Sequence, residues 1–128
     1  MKALLDTHAL IYMAASPERL GKAARECLMG GEAELFASLA SLWEICIKSR
    51  LGKLQLPVDP GEFWRETLSR ARVMELPIDR KSILKTSDLE LSNRDPFDRI
   101  IAAQAIVSAS TLISSDGSFD AWGVERLW

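Results

Sequence analysis

Four carboxylates, Asp6, Glu44, Asp98 and Asp116, occupy positions from which strands and helices could gather them into one place. Clustered carboxylates repel one another and resist joint ionisation unless a cation offsets them. Hard, oxygen-seeking Mg²⁺ or Mn²⁺ suits such a cluster, and the matching chemistry is metal-assisted displacement at phosphorus. Little else in the chain offers chemistry. The single histidine, His8, excludes a two-histidine acid–base pair, a His-x-x-His zinc site and a Cys/His finger. Neither a G-x-x-x-x-G-K-[ST] loop nor a G-x-G-x-x-G turn is present. Cys27 and Cys46 follow no metal spacing; Cys46 lies in an apolar helical run and is expected as a buried, reduced thiol.

The elements that must position these acids follow from pattern. Lys2–Leu5 is a short apolar strand ending at Asp6, and Ala9–Ala15 reads as a short helix leaving it. Ser16-Pro17-Glu18 has the form of a helix start, with the helix running through Leu28 to Gly30-Gly31. Glu34–Ala37 is a second strand and Ser38–Leu51 a helix stopped by Gly52. After the breaker Pro57–Gly61, a helix over Glu62–Arg72 precedes a third strand, Val73–Leu76. Asp79 opens a helix to about Leu89, and a strong helix spans Pro96 to about Ser108. Thr111–Ser114 and Val124–Leu127 complete five strands. Strands alternating with helices predict an α/β fold, a mostly parallel sheet of about five strands covered on both faces.

In such a sheet the carboxyl ends of strands and the N-termini of the following helices share one edge, where ligands bind. Asp6 and Asp116 end strands, Asp98 lies in the first turn of its helix, and Glu44 lies in the second turn of another. All four are thereby directed to one region. Each also has a structural explanation. Asp95 can cap the helix that begins at Pro96, leaving Asp98 as a charge favourable to the helix dipole. Asp6 and Asp116 can form Asx turns. Ser41, Glu44 and Lys48 recur at helical spacing as a narrow polar stripe on an otherwise apolar, mostly buried helix, and Glu44–Lys48 can be a modest surface pair.

The 128 residues amount to one domain, 1–128, with 48% hydrophobic and 27% charged residues. Collagen, low-complexity disorder and a disulfide scaffold are excluded. The longest apolar stretch, Ala9–Ala15, falls well short of the roughly 18 residues of a membrane span. Asp6 arrives too early for a secretory signal, so a cytoplasmic location without membrane attachment is expected. Sixteen basic against eighteen acidic residues give a net charge of −2, which leaves nucleic-acid binding to local patches. Lys48, Arg50 and Lys53 fall within six positions, and Arg94 and Arg99 flank Asp98; either group could hold RNA phosphates or form a solvated helix end. Trp43, Trp64, Trp122 and Trp128 read as core or partner-facing rather than as base-stacking platforms.

The stretch Leu4-Leu-Asp-Thr-His8, Ser41-Leu-Trp-Glu-Ile45 with Lys48 and Leu51-Gly-Lys53, Asp95-Pro-Phe-Asp-Arg99 followed by Ala102-Ala-Gln-Ala105, and Leu112-Ile-Ser-Ser-Asp116 together resemble the PIN-domain ribonucleases. Within them, the match is to VapC-type toxins of bacterial toxin–antitoxin modules. The resemblance implies a three-layer α/β/α fold and a Mg²⁺- or Mn²⁺-dependent endoribonuclease. Asp6, Glu44, Asp98 and Asp116 would be its catalytic and metal-binding quartet, supported by Thr7 and Ser114. It further implies a homodimer, a cognate antitoxin, and RNA cut by activated water to leave 5′-phosphate and 3′-hydroxyl ends. Asp95 matches the family motif but reads as a cap. His8 is expected to be structural or to touch substrate rather than to act as a base. Two other readings remain: a non-catalytic RNA- or protein-binding module of the same fold, and an acid-pocket phosphatase with Asp6 as nucleophile. The second is weakened by His8, which stands where that class has another aspartate.

Overall fold

A computed structural model describes residues 1–128. Its centre is β1 (Lys2–Leu5), a strand with no exposed side chain after Lys2. Parallel partners flank it on both sides, β2 (Glu34–Ser38) with Leu4 opposite Phe36, and β4 (Thr111–Ile113) with Leu5 opposite Ile113. The outer strands are β3 (Val73–Leu76) and β5 (Arg126–Leu127), giving the order β3-β2-β1-β4-β5. All four pairings are parallel, which replaces the mostly parallel expectation.

The period-2 alternation of the strands divides the core. Ala3, Leu5, Leu35, Ala37, Val73 and Ile113 face one apolar cluster. They pack there with Ala9 and Leu10 of α1 (Thr7–Ala15), Ala24 of α2 (Lys22–Met29), and Phe63 and Trp64 of α4 (Pro60–Ala71). Leu4 and Leu112 face the other cluster, beneath Ile101, Ala102 and Ala105 of α6 (Pro96–Val107) and the rings of Phe119 and Trp122. The small α6 side chains let that helix lie close to the sheet. Between β2 and the linker to α4, α3 (Leu39–Arg50) contributes Ala40 to one cluster and Ile45 to the other. It thus closes the carboxyl edge of the sheet. The short helix α5 (Arg80–Lys85) packs against α6.

Two expected helices are shorter than their patterns. Pro17–Arg19 forms only a 3₁₀ turn, Ser16 makes no side-chain cap, and α2 starts at Lys22. Leu20 is buried and extended, and at Gly21 a Cβ would fall 2.6 Å from Trp128. The chain therefore breaks where Trp128 must approach its backbone. The segment opened by Asp79 becomes α5 and a separate 3₁₀ turn, Thr86–Asp88.

The most consequential difference is in α3. Ser41 is fully buried and Glu44 6% exposed, beside the buried Ala40 and Ile45, while Trp43 is 61% exposed. Cys46 and Ile47 are exposed as well, so the thiol expected in the core lies on the surface. The inner face of α3 is thus partly polar and its outer face partly apolar, a departure from the usual amphipathic arrangement. The side chains gathered there supply the reason.

Candidate active site

The carboxyl edge of the sheet assembles the site. Asp6 leaves β1 and becomes the N-cap of α1: its Oδ1 accepts the Ala9 N–H at 2.8 Å, and its own N–H donates to Ile113 O at 3.0 Å. Asp116 follows β4 and caps the 3₁₀ turn Gly117–Trp122, accepting the Ser118 N–H at 2.9 Å. The Asx-turn explanation is therefore true of one oxygen of each residue, and it also fixes each carboxylate at the edge. Between them lies Ser114, fully buried, whose hydroxyl accepts the Asp116 N–H at 3.0 Å and hydrogen-bonds Asp6.

Asp95 is the cap of α6, its Oδ1 accepting from Phe97 N at 2.8 Å and Asp98 N at 3.1 Å. Asp98 is thereby released from capping. Its Oδ2 accepts instead from Asn93 Nδ2 at 3.0 Å. From α3, Glu44 meets Thr7 Oγ1 at 2.6 Å through Oε1 and Lys48 Nζ at 2.8 Å through Oε2. Thr7 Oγ1 also lies 2.9 Å from Ser41 Oγ. It has one proton, and the charged acceptor is the stronger claimant.

The four acids act on one another electrically. Burial pushes the Asp98 carboxyl up to about 6, opposed by the Asn93 amide and reinforced by Asp95, Glu44 and Asp116. Burial also raises the Asp6 carboxyl, against the hydrogen bonds from Ser114 and Ala9 and the charge of His8; Glu44 adds to the rise. Asp6, Glu44, Asp98 and Asp116 are thus linked in sequence by mutual repulsion. Buried carboxyls held above their ordinary range at one sheet edge mark a place built for charge rather than for stability. No three of these side chains converge tightly enough to enclose an ion by themselves.

The basic candidates separate. Lys48 is 34% exposed and paired with Glu44, and Arg50, Lys53 and Arg94 are exposed. Arg99 has another task. Its guanidinium donates to the carbonyls of Thr86, Leu89, Glu90 and Asn93 at 2.8–2.9 Å, tying the segment that carries Asn93 to α6. His8 is exposed, its ring 6.2 Å from that of Tyr12. Trp64 and Trp122 are buried, as the core reading expected, whereas Trp43 stands edge-on to Phe97 at 5.2 Å.

Asn93, Ser41 and Arg126 were not singled out as site residues from sequence. Ser41 belonged to the polar stripe and Asn93 to the polar stretch before α6, which are faint signals. Arg126 had none: it grips both oxygens of Asp120 at 2.9 and 3.0 Å and donates to Ser114 O at 3.0 Å. That clamp fastens β5 to the turn bearing Asp116.

Fold and acidic edge together define a class. The PIN domain family model matches residues 3–124, and the chain belongs to the PIN domain family. Solved structures of the same fold include VapBC2 from Rickettsia felis bound to a promoter DNA fragment, 16% identical with a TM-score of 0.74, covering 99% of this chain and 98% of that one. DNA-bound VapBC from Salmonella typhimurium is 16% identical with a TM-score of 0.72, covering 99% and 97%. VapBC-5 from Mycobacterium tuberculosis, a member of the VapBC family of toxin–antitoxin systems, is 22% identical with a TM-score of 0.60, covering 98% and 97%. No curated protein matches the chain.

Proposed function

We propose that this chain is a divalent-metal-dependent endoribonuclease, the VapC-type toxin of a toxin–antitoxin pair. The observation that carries the reading is the gathering of Asp6, Glu44, Asp98 and Asp116 at one sheet edge, where burial, aided by their mutual repulsion, raises the Asp6 carboxyl and pushes Asp98 up to about 6. A fold gains no stability from such an arrangement. The donor set is all carboxylate oxygen, which suits Mg²⁺ or Mn²⁺ and not a soft metal. Mg²⁺ retains several waters and needs only one or two direct carboxylates, so a loose acidic ring fits a partly hydrated ion.

Asp6, Glu44, Asp98 and Asp116 would hold the ion, which supplies an activated water and charge stabilisation at phosphorus. The chain's own residues do the positioning. Ser114 fixes Asp6 relative to Asp116, Thr7 orients Glu44, and Asn93 orients Asp98. Lys48, Arg50, Lys53 and Arg94 would receive RNA phosphates near the acidic edge.

Partners follow from surface and likeness. Several of the structural neighbours are toxin–antitoxin proteins, which supports a cognate antitoxin here. Exposed Trp43, Ile47, Leu51, Ile83 and Leu84 support a homodimer that covers them. No helix is long and apolar enough to cross a membrane, in keeping with action in the cytoplasm.

The test is cleavage of RNA by purified, antitoxin-free protein. Activity should require Mg²⁺ or Mn²⁺, stop in EDTA, and leave 5′-phosphate and 3′-hydroxyl ends. Cyclic 2′,3′-phosphate products, or full activity in EDTA, would overturn the reading.

A further inference from the structure

Glu44 is engaged at both oxygens, by partners of unequal freedom. Thr7, on Oε1, is 4% exposed and lies against fully buried Ser41. Lys48, on Oε2, is a third exposed. Its backbone is pinned, because its carbonyl accepts the N–H groups of Lys53 at 2.9 Å and Leu54 at 3.2 Å. The Lys48 side chain can therefore change rotamer without any movement of α3, whereas Thr7 has nowhere to go.

The pair also offsets the burial of a glutamate on the inner face of α3. An ammonium 2.8 Å from Oε2 offsets the charge that Asp6 and Asp98 would otherwise repel. The same ammonium opposes a divalent ion approaching that oxygen, since like charges this close repel strongly in a partly buried site.

We propose that Lys48 is an internal counter-ion of the acidic site, displaced from Glu44 when a divalent ion binds and then free to hold an RNA phosphate. The inference rests on the metal-dependent reading above. Lys48 lies in the last turn of α3 with Arg50, and Lys53 follows in the turn after the helix, so a displaced ammonium adds to exposed cations next to it in the chain. Metal and RNA then favour each other's binding, because each relieves a cost the other meets.

The experiment is a titration of metal-free protein with Mn²⁺ followed by electron paramagnetic resonance, without RNA. Lys48→Met should bind Mn²⁺ about tenfold more tightly than the unmodified chain, as loss of a competing cation requires. Lys48→Gln, which removes the charge but keeps a donor, should behave alike, and Lys48→Arg should remain near the starting affinity. In RNA cleavage, Lys48→Met should raise KM by a larger factor than it lowers kcat. Thermal melts establish that each variant is folded, and the two neutral variants serve for one another if either is not. Unchanged or weaker Mn²⁺ binding by the folded neutral variants overturns the role of Lys48 alone. Absence of Mn²⁺ binding by the unmodified chain overturns both this inference and the metal-dependent reading.

Discussion

Asn93 donates its side-chain amide to Asp98 Oδ2 at 3.0 Å while its own Oδ1 is fixed by the Asp95 N–H at 2.9 Å. The residue that caps α6 therefore also aims the amide that steadies the site carboxylate beside it. Asn93→Leu removes the hydrogen bond that opposes the rise of the Asp98 carboxyl, which should therefore move further above its present value of about 6. The pH at which Mn²⁺ affinity falls to half should move upward, measured by Mn²⁺ titration across a pH series.

Asp98 also makes a signed prediction about stability. Its carboxyl is held near 6 in the folded chain and lies near 3.8 when unfolded, so the folded state binds the proton more tightly. Stability from this group is present below about pH 4 and is lost as pH rises towards about 6. Asp98→Asn should raise the melting temperature of metal-free protein at pH 7 and leave that near pH 4 little changed. Thermal melts in EDTA at the two pH values check this, and the variant should no longer cleave RNA in Mn²⁺.

Asp6 has two duties that substitutions can separate. Asparagine retains an N-cap oxygen for Ala9, whereas alanine does not. Asp6→Asn should fold well and fail to cleave RNA. Asp6→Ala should fail equally and lose in addition about 1 kcal/mol of stability, the usual value of a cap. Chemical denaturation beside a cleavage assay distinguishes the two duties.

Arg99 should be irreplaceable by lysine. Four carbonyl acceptors match a planar fork of donors and exceed what one ammonium on a flexible stem can reach. Arg99→Lys should destabilise the chain by about 1–3 kcal/mol. Hydrogen exchange should rise most in the segment 86–93, with cleavage weakened through the loss of Asn93 positioning.

Much of this architecture is written in local patterns. β1 and β3 have the bounds their apolar runs predict, and α6 starts at Pro96 as its cap and proline require. The acids converge because parallel topology sends strand ends and helix starts to one edge. What local pattern missed depends on distant partners. Gly21 yields an extended backbone because Trp128, from the far end of the sequence, lies against it. Cys46 and Trp43 are exposed because the inner face of α3 is occupied by the Glu44 network, and an apolar run carries no mark of which face will turn inward. Arg99 reads in sequence as a free cation beside an acid; only the folded loop presents it with four carbonyls.

The ordering of the strands has a temporal consequence. Asp6 leaves the central strand β1, and Asp116 leaves its neighbour β4, which follows β1, β2 and β3 in the sequence. Ser114, which joins the two acids, also follows those three strands. A polypeptide still emerging from the ribosome can form β1, β2 and β3, but it lacks β4 and with it one wall of the acidic edge. On the metal-dependent reading proposed above, the acidic edge is completed only once β4 has paired with β1, so a fragment ending before Thr111 should not cleave RNA.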